Sequence, residues 1–236
     1  MIDFHTHVLP SFDDGSSSVE ESVRMLKSME KQGVKKVVLT PHFYAYRTDV
    51  NTFFSNRRSA EKLLYCDLRE NGINVSLYPA AEVLYFDEIW RIDDMEKLCI
   101  KGTNYVMVEM PFGKWTDAMI RNLEKLSARG FVPIIAHFDR YIKFQHGMKR
   151  FYELLEIGAL LQMNADYLIN FWTRRKALSF FKRGLVSALG SDCHNMSSRP
   201  PEIKGAYDYL KAHLSGEQMN RFISQQKMII KNAVEL

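Results

Sequence analysis

The sequence predicts an α/β fold of about seven successive strand–helix units, which close most simply into a barrel. Three observations carry this. Short apolar, β-branched runs alternate with amphipathic helical stretches from end to end; glycines mark the joints; and His, Asp or Glu recur where the runs end. An open, doubly wound sheet is the other arrangement open to the same units.

Residues 2–7 (Ile-Asp-Phe-His-Thr-His) read as the first strand. Residues two apart on a strand share a face, so His5 and His7 can reach one metal ion. Ser17 or Ser18, with Glu20 or Glu21 three positions on, makes a capping-box start. Val19, Val23, Leu26 and Met29 then form the apolar stripe of a helix. Gly33 supplies its left-handed end, and residues 36–42 follow as the second strand. The remaining strands are expected at 75–83, 105–110, 132–137, 160–164 and 186–192, with Gly72, Gly130, Gly158 and Gly184 ending the intervening helices. Met119, Leu123 and Leu126 mark one of those helices. Runs such as Val37-Val38-Leu39 and Pro133-Ile134-Ile135-Ala136 are apolar throughout, as suits strands covered on both faces in a parallel sheet. No Pro/Ser/Gly linker, low-complexity tract or repeat interrupts the pattern, so residues 1–236 read as one domain.

With 46% apolar and 25% charged residues, the composition is that of an ordinary globular protein. The net charge of +4 comes from small scattered groups of Lys and Arg. Such groups indicate a solvated surface and argue against a nucleic-acid partner. The first residues show no basic segment followed by an apolar one, and no apolar run nears the ~18 residues of a membrane span. Three cysteines at unrelated spacings do not form a disulfide framework, so the expectation is a cytoplasmic protein without membrane insertion.

His5, His7, His42, Glu82, Glu109, His137, Asp192 and His194 all lie at or just past the end of an expected strand, the edge where a barrel carries its function. Asp14 brings the candidate ligands to nine. Imidazole and carboxylate without thiolate point to Mn, Fe or Zn and away from a structural zinc knuckle. Glu82 and Glu109 follow apolar runs, where an unpartnered carboxylate is costly. Two or three ions sharing a carboxylate would suit phosphoester hydrolysis, because they can acidify a water and clamp phosphoryl oxygens. His146 and His213 fall outside this pattern.

The segments His5-Thr6-His7, Asp13-Asp14-Gly15, Thr40-Pro41-His42, Ala81-Glu82, Val108-Glu109, Ala136-His137-Phe138-Asp139-Arg140-Tyr141 and Ser191-Asp192-Cys193-His194-Asn195 resemble the PHP (polymerase and histidinol phosphatase) superfamily. More narrowly, with Arg199-Pro200-Pro201, they resemble its bacterial tyrosine-protein phosphatases of the CpsB/YwqE type. The resemblance runs in order from residue 1 to about residue 210. It implies a distorted (β/α)7 TIM-like barrel with three divalent ions, by resemblance Mn2+, with Fe or Zn the other options. Carried over by position, His5, His7 and Asp192 would hold one ion, with Glu82 bridging to another. Asp14, His42 and His194 would hold a second; Glu109 and His137, with Glu82, would complete the third. The family pattern favours Asp14 over Asp13. Arg140 and Arg199 match two phosphate-binding arginines, whose guanidinium forks can each hold two phosphoryl oxygens.

The implied activity is metal-dependent hydrolysis of phosphotyrosine by a metal-bridging hydroxide. The implied partner is a phosphotyrosyl protein, a cognate bacterial tyrosine kinase in capsular or exopolysaccharide synthesis. Asp139 stands where the family usually has Glu; it could assist the leaving group or hold Arg140, and the second is favoured. Residues 43–49 and 111–117 carry Tyr44, Tyr46, Arg47, Phe112, Lys114 and Trp115 as a rim for substrate. Cys193 and Arg199 share the Cys-x5-Arg spacing of cysteine-dependent phosphatases, but the residues between include no glycine for a phosphate loop. A thiol between two metal-facing residues would also point away. The alternative within the superfamily is a small-molecule phosphatase resembling histidinol phosphatase, and outside enzymes it is a non-catalytic metal-binding module.

Overall fold

The computed structural model describes the backbone of residues 1–236 and every side chain except that of Arg69. Its strands are β1 (Ile2–Thr6), β2 (Lys36–Leu39), β3 (His42–Phe43), β4 (Ser76–Pro79), β5 (Glu82–Leu84), β6 (Tyr105–Glu109), β7 (Val132–Ile135), β8 (Leu160–Asn164) and β9 (Ala188–Gly190). The helices are α1 (Val19–Lys31), α2 (Val50–Glu70), α3 (Asp117–Ala128), α4 (Lys149–Glu156), α5 (Ala165–Ile169), α6 (Arg174–Lys182), α7 (Lys204–His213) and α8 (Gly216–Ile229). Every strand pairing is parallel.

Two of the seven expected strands are each split in two. The second breaks between β2 and β3 at Thr40-Pro41, and the third between β4 and β5 at Ala80-Ala81. Pro41 has no N–H to give, so it cannot donate to the ladder where the strand breaks. The ladder crosses the gap through Ala80 N–H to Leu39 O at 2.8 Å and Glu82 N–H to Pro41 O at 3.0 Å. The sheet therefore runs β1-β2-β4 and then β3-β5-β6-β7-β8-β9. Asp192 N–H donates to His5 O at 2.8 Å and His7 N–H to Cys193 O at 2.9 Å, joining the segment after β9 back to β1. These bonds curl the sheet into the barrel and exclude the open alternative.

The barrel interior is layered. Phe4, Val38, Tyr78, Met107, Ile134 and Ala188 pack together with Ile229 and Ile230, which close the floor. Strict alternation would put Phe4 and His5 on opposite faces. The register of β1 slips between Asp3 and Thr6, so Phe4 fills the floor while His5 still points inward above it. Val37, Leu39, Val83, Val106, Val108 and Leu161 belong to the larger core beneath the helices, with Met25, Leu26 and Met29 of α1. Ser18 caps α1 by accepting the Glu21 N–H, as expected, but Glu21 reaches back to Ser17 rather than Ser18. Among the described residues, no helix is long and apolar enough to cross a membrane.

Candidate metal centre

All nine expected ligands converge at the C-terminal mouth of the barrel. Glu82, at the start of β5, is at the centre of the cluster and fully buried. Its Oε2 lies 3.1 Å from His5 Nε2, 3.3 Å from His7 Nε2 and 3.1 Å from His42 Nδ1, while Oε1 lies 3.0 Å from His137 Nε2. The His5 and His7 Nε2 atoms stand 3.2 Å apart. Asp192 Oδ1 is 3.6 Å from each of them. Asp14 Oδ1 lies 3.4 Å from both His42 Nε2 and His194 Nε2.

Donor atoms within 4.8 Å of one another fall into three groups: His5, His7 and Asp192; His7, Asp14, His42 and His194; and His42, Glu82 and Glu109. His7 and His42 each belong to two groups. His137 belongs to none, although its Nε2 is 3.5 Å from Glu109 Oε1. Although 3.1 Å apart, Glu82 Oε2 and His42 Nδ1 form no hydrogen bond, and both, like His194 Nε2, are buried without a hydrogen-bond partner. Unpaired buried polar atoms are uncommon and call for an explanation such as an ion, and this donor set suits a divalent cation.

The local backbone is unusual at the same place. Among the described non-glycine residues only Ser11, His137 and Asp192 have positive φ; the latter two are at 30° and 55°. A left-handed residue at a strand end re-aims its side chain at a conformational cost, and such positions cluster at functional sites.

Charge is balanced tightly across the cluster. Burial opposes the charge on Asp192, yet His5, Arg140 and His7 hold its carboxyl well below the usual range. Burial likewise opposes a charged His7, but Asp13 and Glu82 outweigh it and raise the imidazole to about 10. Glu109 is pushed up to about 7 by burial and the neighbouring Glu82 charge. His194 is lowered to about 4 by burial and by His7.

Arg140 and Arg199 approach Asp192 from opposite oxygens. Arg140 Nη2 donates to Oδ2, and Arg199 Nη2 lies 2.7 Å from Oδ1. Both guanidinium side chains remain about one-third exposed, so they face solvent as well as the centre. Asp139 makes no direct bond to Arg140, although its charge supports the guanidinium from nearby; its Oδ1 accepts the Asn164 N–H at 2.9 Å, and burial pushes its carboxyl up to about 7.

Several supporting residues escaped the sequence reading. Asp13 Oδ2 accepts from His7 Nδ1 at 2.8 Å and from the His42 N–H at 3.0 Å. Gln162 Oε1 accepts from His5 Nδ1 at 3.1 Å and from the His137 N–H at 2.6 Å. Asn164 Nδ2 donates to Asp192 Oδ2 at 2.9 Å. Gln162 and Asn164 are two apart in a strand otherwise composed of Leu160, Leu161 and Met163. That period-two polar pair on an apolar strand was the signal available.

Around the mouth, Tyr44 stacks on His42 at 5.2 Å and Arg47 covers Tyr44 at 4.8 Å. Phe112 and Tyr46 are exposed as expected. Trp115 is not part of the rim; it is buried and donates Nε1–H to Pro111 O at 3.2 Å. Cys193 is fully buried, and burial with the nearby Asp3 charge pushes its thiol well up, so it offers no nucleophile. His146 and His213 lie outside the cluster; His213 Nδ1 bonds Tyr209 O within α7.

Comparison with known proteins agrees over the full length. Tyrosine-protein phosphatase CpsB of Streptococcus pneumoniae is 28% identical, with 98% of each chain covered. Tyrosine-protein phosphatase YwqE of Bacillus subtilis is 25% identical over 98% of this chain and 92% of its own. A crystal structure from work on YwqE and CpsB, described as unique metal-dependent tyrosine phosphatases, superposes with a TM-score of 0.85 at 24% identity, over 100% of this chain and 96% of that one. A β-aspartyl dipeptidase from Fervidobacterium islandicum shares the fold more distantly, with a TM-score of 0.56 at 14% identity over 97% and 74% of the two chains. The family model for capsular polysaccharide synthesis, CpsB/CapC, matches residues 1–233, and the chain belongs to that family.

Proposed function

We propose that this protein is a metal-dependent phosphotyrosine-protein phosphatase acting, as one domain over residues 1–236, on a bacterial tyrosine kinase of capsule or exopolysaccharide synthesis. The observation that carries the reading is the meeting, at Asp192, of two guanidiniums and a cluster of eight His, Asp and Glu residues, with His137 joined to it through Glu82 and Glu109. His5, His7, Asp14, His42, Glu82, Glu109, His137, Asp192 and His194 would hold the ions, which we take to be three Mn2+. Ions held there would polarise phosphoryl oxygens and acidify a water into a nucleophile.

The chain's own contribution is positioning and charge. Arg140 and Arg199 present N–H donors to the equatorial phosphoryl oxygens and offset the charge that grows on them. Asp13 and Gln162 accept from the Nδ1 atoms of His7 and His5 and so aim both Nε2 atoms inward; such partners fix ring orientation at metal sites. Asn164 and the two arginines fix Asp192. A tyrosyl phenolate, with a pKa of ~10, leaves without a strong acid. No acid is assigned to Asp139, whose carboxyl faces the Asn164 amide. The three cysteines are free, in keeping with a reducing cytoplasm.

The test is a parallel assay of Mn2+-loaded protein on a phosphotyrosyl peptide and on histidinol phosphate. Turnover of the peptide, abolished by chelator and untouched by iodoacetamide, is expected. Turnover of histidinol phosphate alone would replace the substrate assignment, and sensitivity to iodoacetamide with resistance to chelator would overturn the metal reading. His5→Ala is expected to lose both metal and activity.

A further inference from the structure

A groove leads away from the two arginines on the side of α5 and α6. Its inner end is a cavity of about 420 Å3 walled by Arg140, Asp192 and Arg199, and its outer wall is Tyr167, Asn170 and Thr173. A neighbouring cavity of about 500 Å3 shares Arg140 and Tyr167 and continues to Phe112 and Lys143. The two cavities meet at Arg140 and Tyr167, so open groove extends from the Arg140 guanidinium in two directions.

The connection between α5 and α6 carries an aromatic pair that no core residue covers. Phe171 is 63% exposed and Trp172 is 87% exposed, the highest among the large exposed apolar residues described. Their rings meet edge to face at 5.4 Å. Neither lines the cavity; they occupy the two positions between Asn170 and Thr173, which do. The turn that presents them is anchored. Trp172 N–H donates to Asn170 Oδ1 at 2.9 Å, Thr173 Oγ1 to Tyr167 O at 2.6 Å, and the Arg174 guanidinium lies 4.6 Å over Phe171. Two adjacent aromatics held in water by an ordered turn are unfavourable for the free protein, and exposed apolar patches of this kind mark interaction sites. Anchored aromatics also lose little conformational entropy on contact.

We propose that Phe171 and Trp172 form a platform for the polypeptide flanking the phosphotyrosine, the phosphoryl group being held by Arg140 and Arg199 and the neighbouring residues lying across the two rings. The occupant is a phosphotyrosyl polypeptide with an apolar side chain beside the modified tyrosine, and its continuity with the arginine-walled cavity is what selects it. This rests on the phosphatase reading above. The platform explains how a site whose inner end needs only a phosphoryl group distinguishes a protein from a small phosphoester.

The experiment compares Mn2+-loaded wild type, Trp172→Ala and Trp172→Phe on a phosphotyrosyl dodecapeptide and on phenyl phosphate. Trp172→Ala should lose about tenfold in kcat/KM for the peptide, through KM, a size usual for an aromatic contact residue. Phenyl phosphate turnover should stay within twofold, and Trp172→Phe should recover most of the loss. Peptide titration should also shift wild-type tryptophan emission to the blue, and should not do so in Trp172→Phe. Unchanged peptide kinetics in Trp172→Ala, or equal losses on both substrates, would overturn the platform. So would intact peptide kinetics combined with loss of a self-associated species in sedimentation, or loss of binding to anionic vesicles, since the pair would then serve a second copy or a lipid surface. Wild type that shows the emission shift but hydrolyses neither substrate would refute the phosphatase reading and leave the platform standing.

Discussion

Gln162→Leu removes an acceptor that two parts of the centre share. The amide is fully buried, and its orientation is fixed because Nε2 donates to Met163 O at 2.8 Å and to Asn164 Oδ1 at 3.0 Å. Its Oε1 therefore faces His5 Nδ1 at 3.1 Å and the His137 N–H at 2.6 Å. Leucine keeps most of the volume and offers no acceptor, so two buried donors lose their partner. Each such orphan costs about 1–3 kcal/mol, giving about 2–6 kcal/mol for the pair and, at about 2–4 °C per kcal/mol for a chain of this size, a Tm lower by at least about 4 °C. The same change frees the His5 ring to rotate and to switch tautomer. Loss of such an orienting partner weakens metal binding about 10–100-fold, or about 1.4–2.8 kcal/mol. Thermal unfolding of the metal-free protein reads the first effect and calorimetric Mn2+ titration the second. Gln162→Glu, which keeps an acceptor for both donors, should recover much of the metal affinity. A Gln162→Leu protein with Tm within 1 °C and affinity within about twofold of wild type would refute the assignment.

Gly190→Ala should be far more damaging than an ordinary Gly→Ala change, because a Cβ there would stand 2.4 Å from His5 Cβ and 2.9 Å from Gln162 Nε2. Overpacking of this kind costs about 1–3 kcal/mol or more, read as a lowered urea midpoint. Normal stability and metal content in that variant would show that β1 and β9 are not pressed together as described. Metal binding should release protons, since His7 is raised to about 10 in the metal-free protein and must give up a proton to ligate. The sign follows from the raised value: in the metal-free protein this imidazole adds stability fully below its ordinary pKa of ~6.5 and loses it as pH rises through about 10. Mn2+ affinity should accordingly climb with pH across that window, and titration at pH 7.5 in buffers of different ionisation enthalpy should report the released protons. Affinity independent of pH would refute a protonated His7 in the metal-free centre.

The strands were legible because parallel strands covered on both faces must be apolar along their whole length, and Val37-Val38-Leu39 and Val106-Met107-Val108 are. The splitting of the second and third strands was only partly so. Pro41 announces a break where it stands and Pro79 stands just before the matching one at Ala80-Ala81, but Pro133 lies inside β7 without breaking it, so proline alone does not locate the interruptions. The slip in β1 was not legible at all, since alternation assigns Phe4 and His5 to opposite faces and only packing against Val38 and Met107 decides otherwise.

In the centre, the residues with strong intrinsic chemistry stood out, and those that act through them did not. A histidine or carboxylate closing an apolar run is conspicuous because its burial is costly without a partner. Gln162 and Asn164 are neutral, so their burial raises no comparable alarm, yet they fix His5, His137 and Asp192. Two adjacent carboxylates cannot be told apart by type, and only the family pattern favoured Asp14 over Asp13. The fold separates them by direction: Asp13 turns inward to His7 Nδ1 and the His42 amide, while Asp14 stays largely exposed between His42 and His194. Gly15 makes that separation possible. A Cβ at Gly15 would stand 2.1 Å from His7 O and 2.5 Å from His7 Cβ, so only glycine lets the Asp13-Asp14 turn lie flat against the first strand. The Asp-Asp-Gly motif is thus one packing unit, in which the glycine brings the turn close, the first aspartate orients a histidine, and the second is left between His42 and His194.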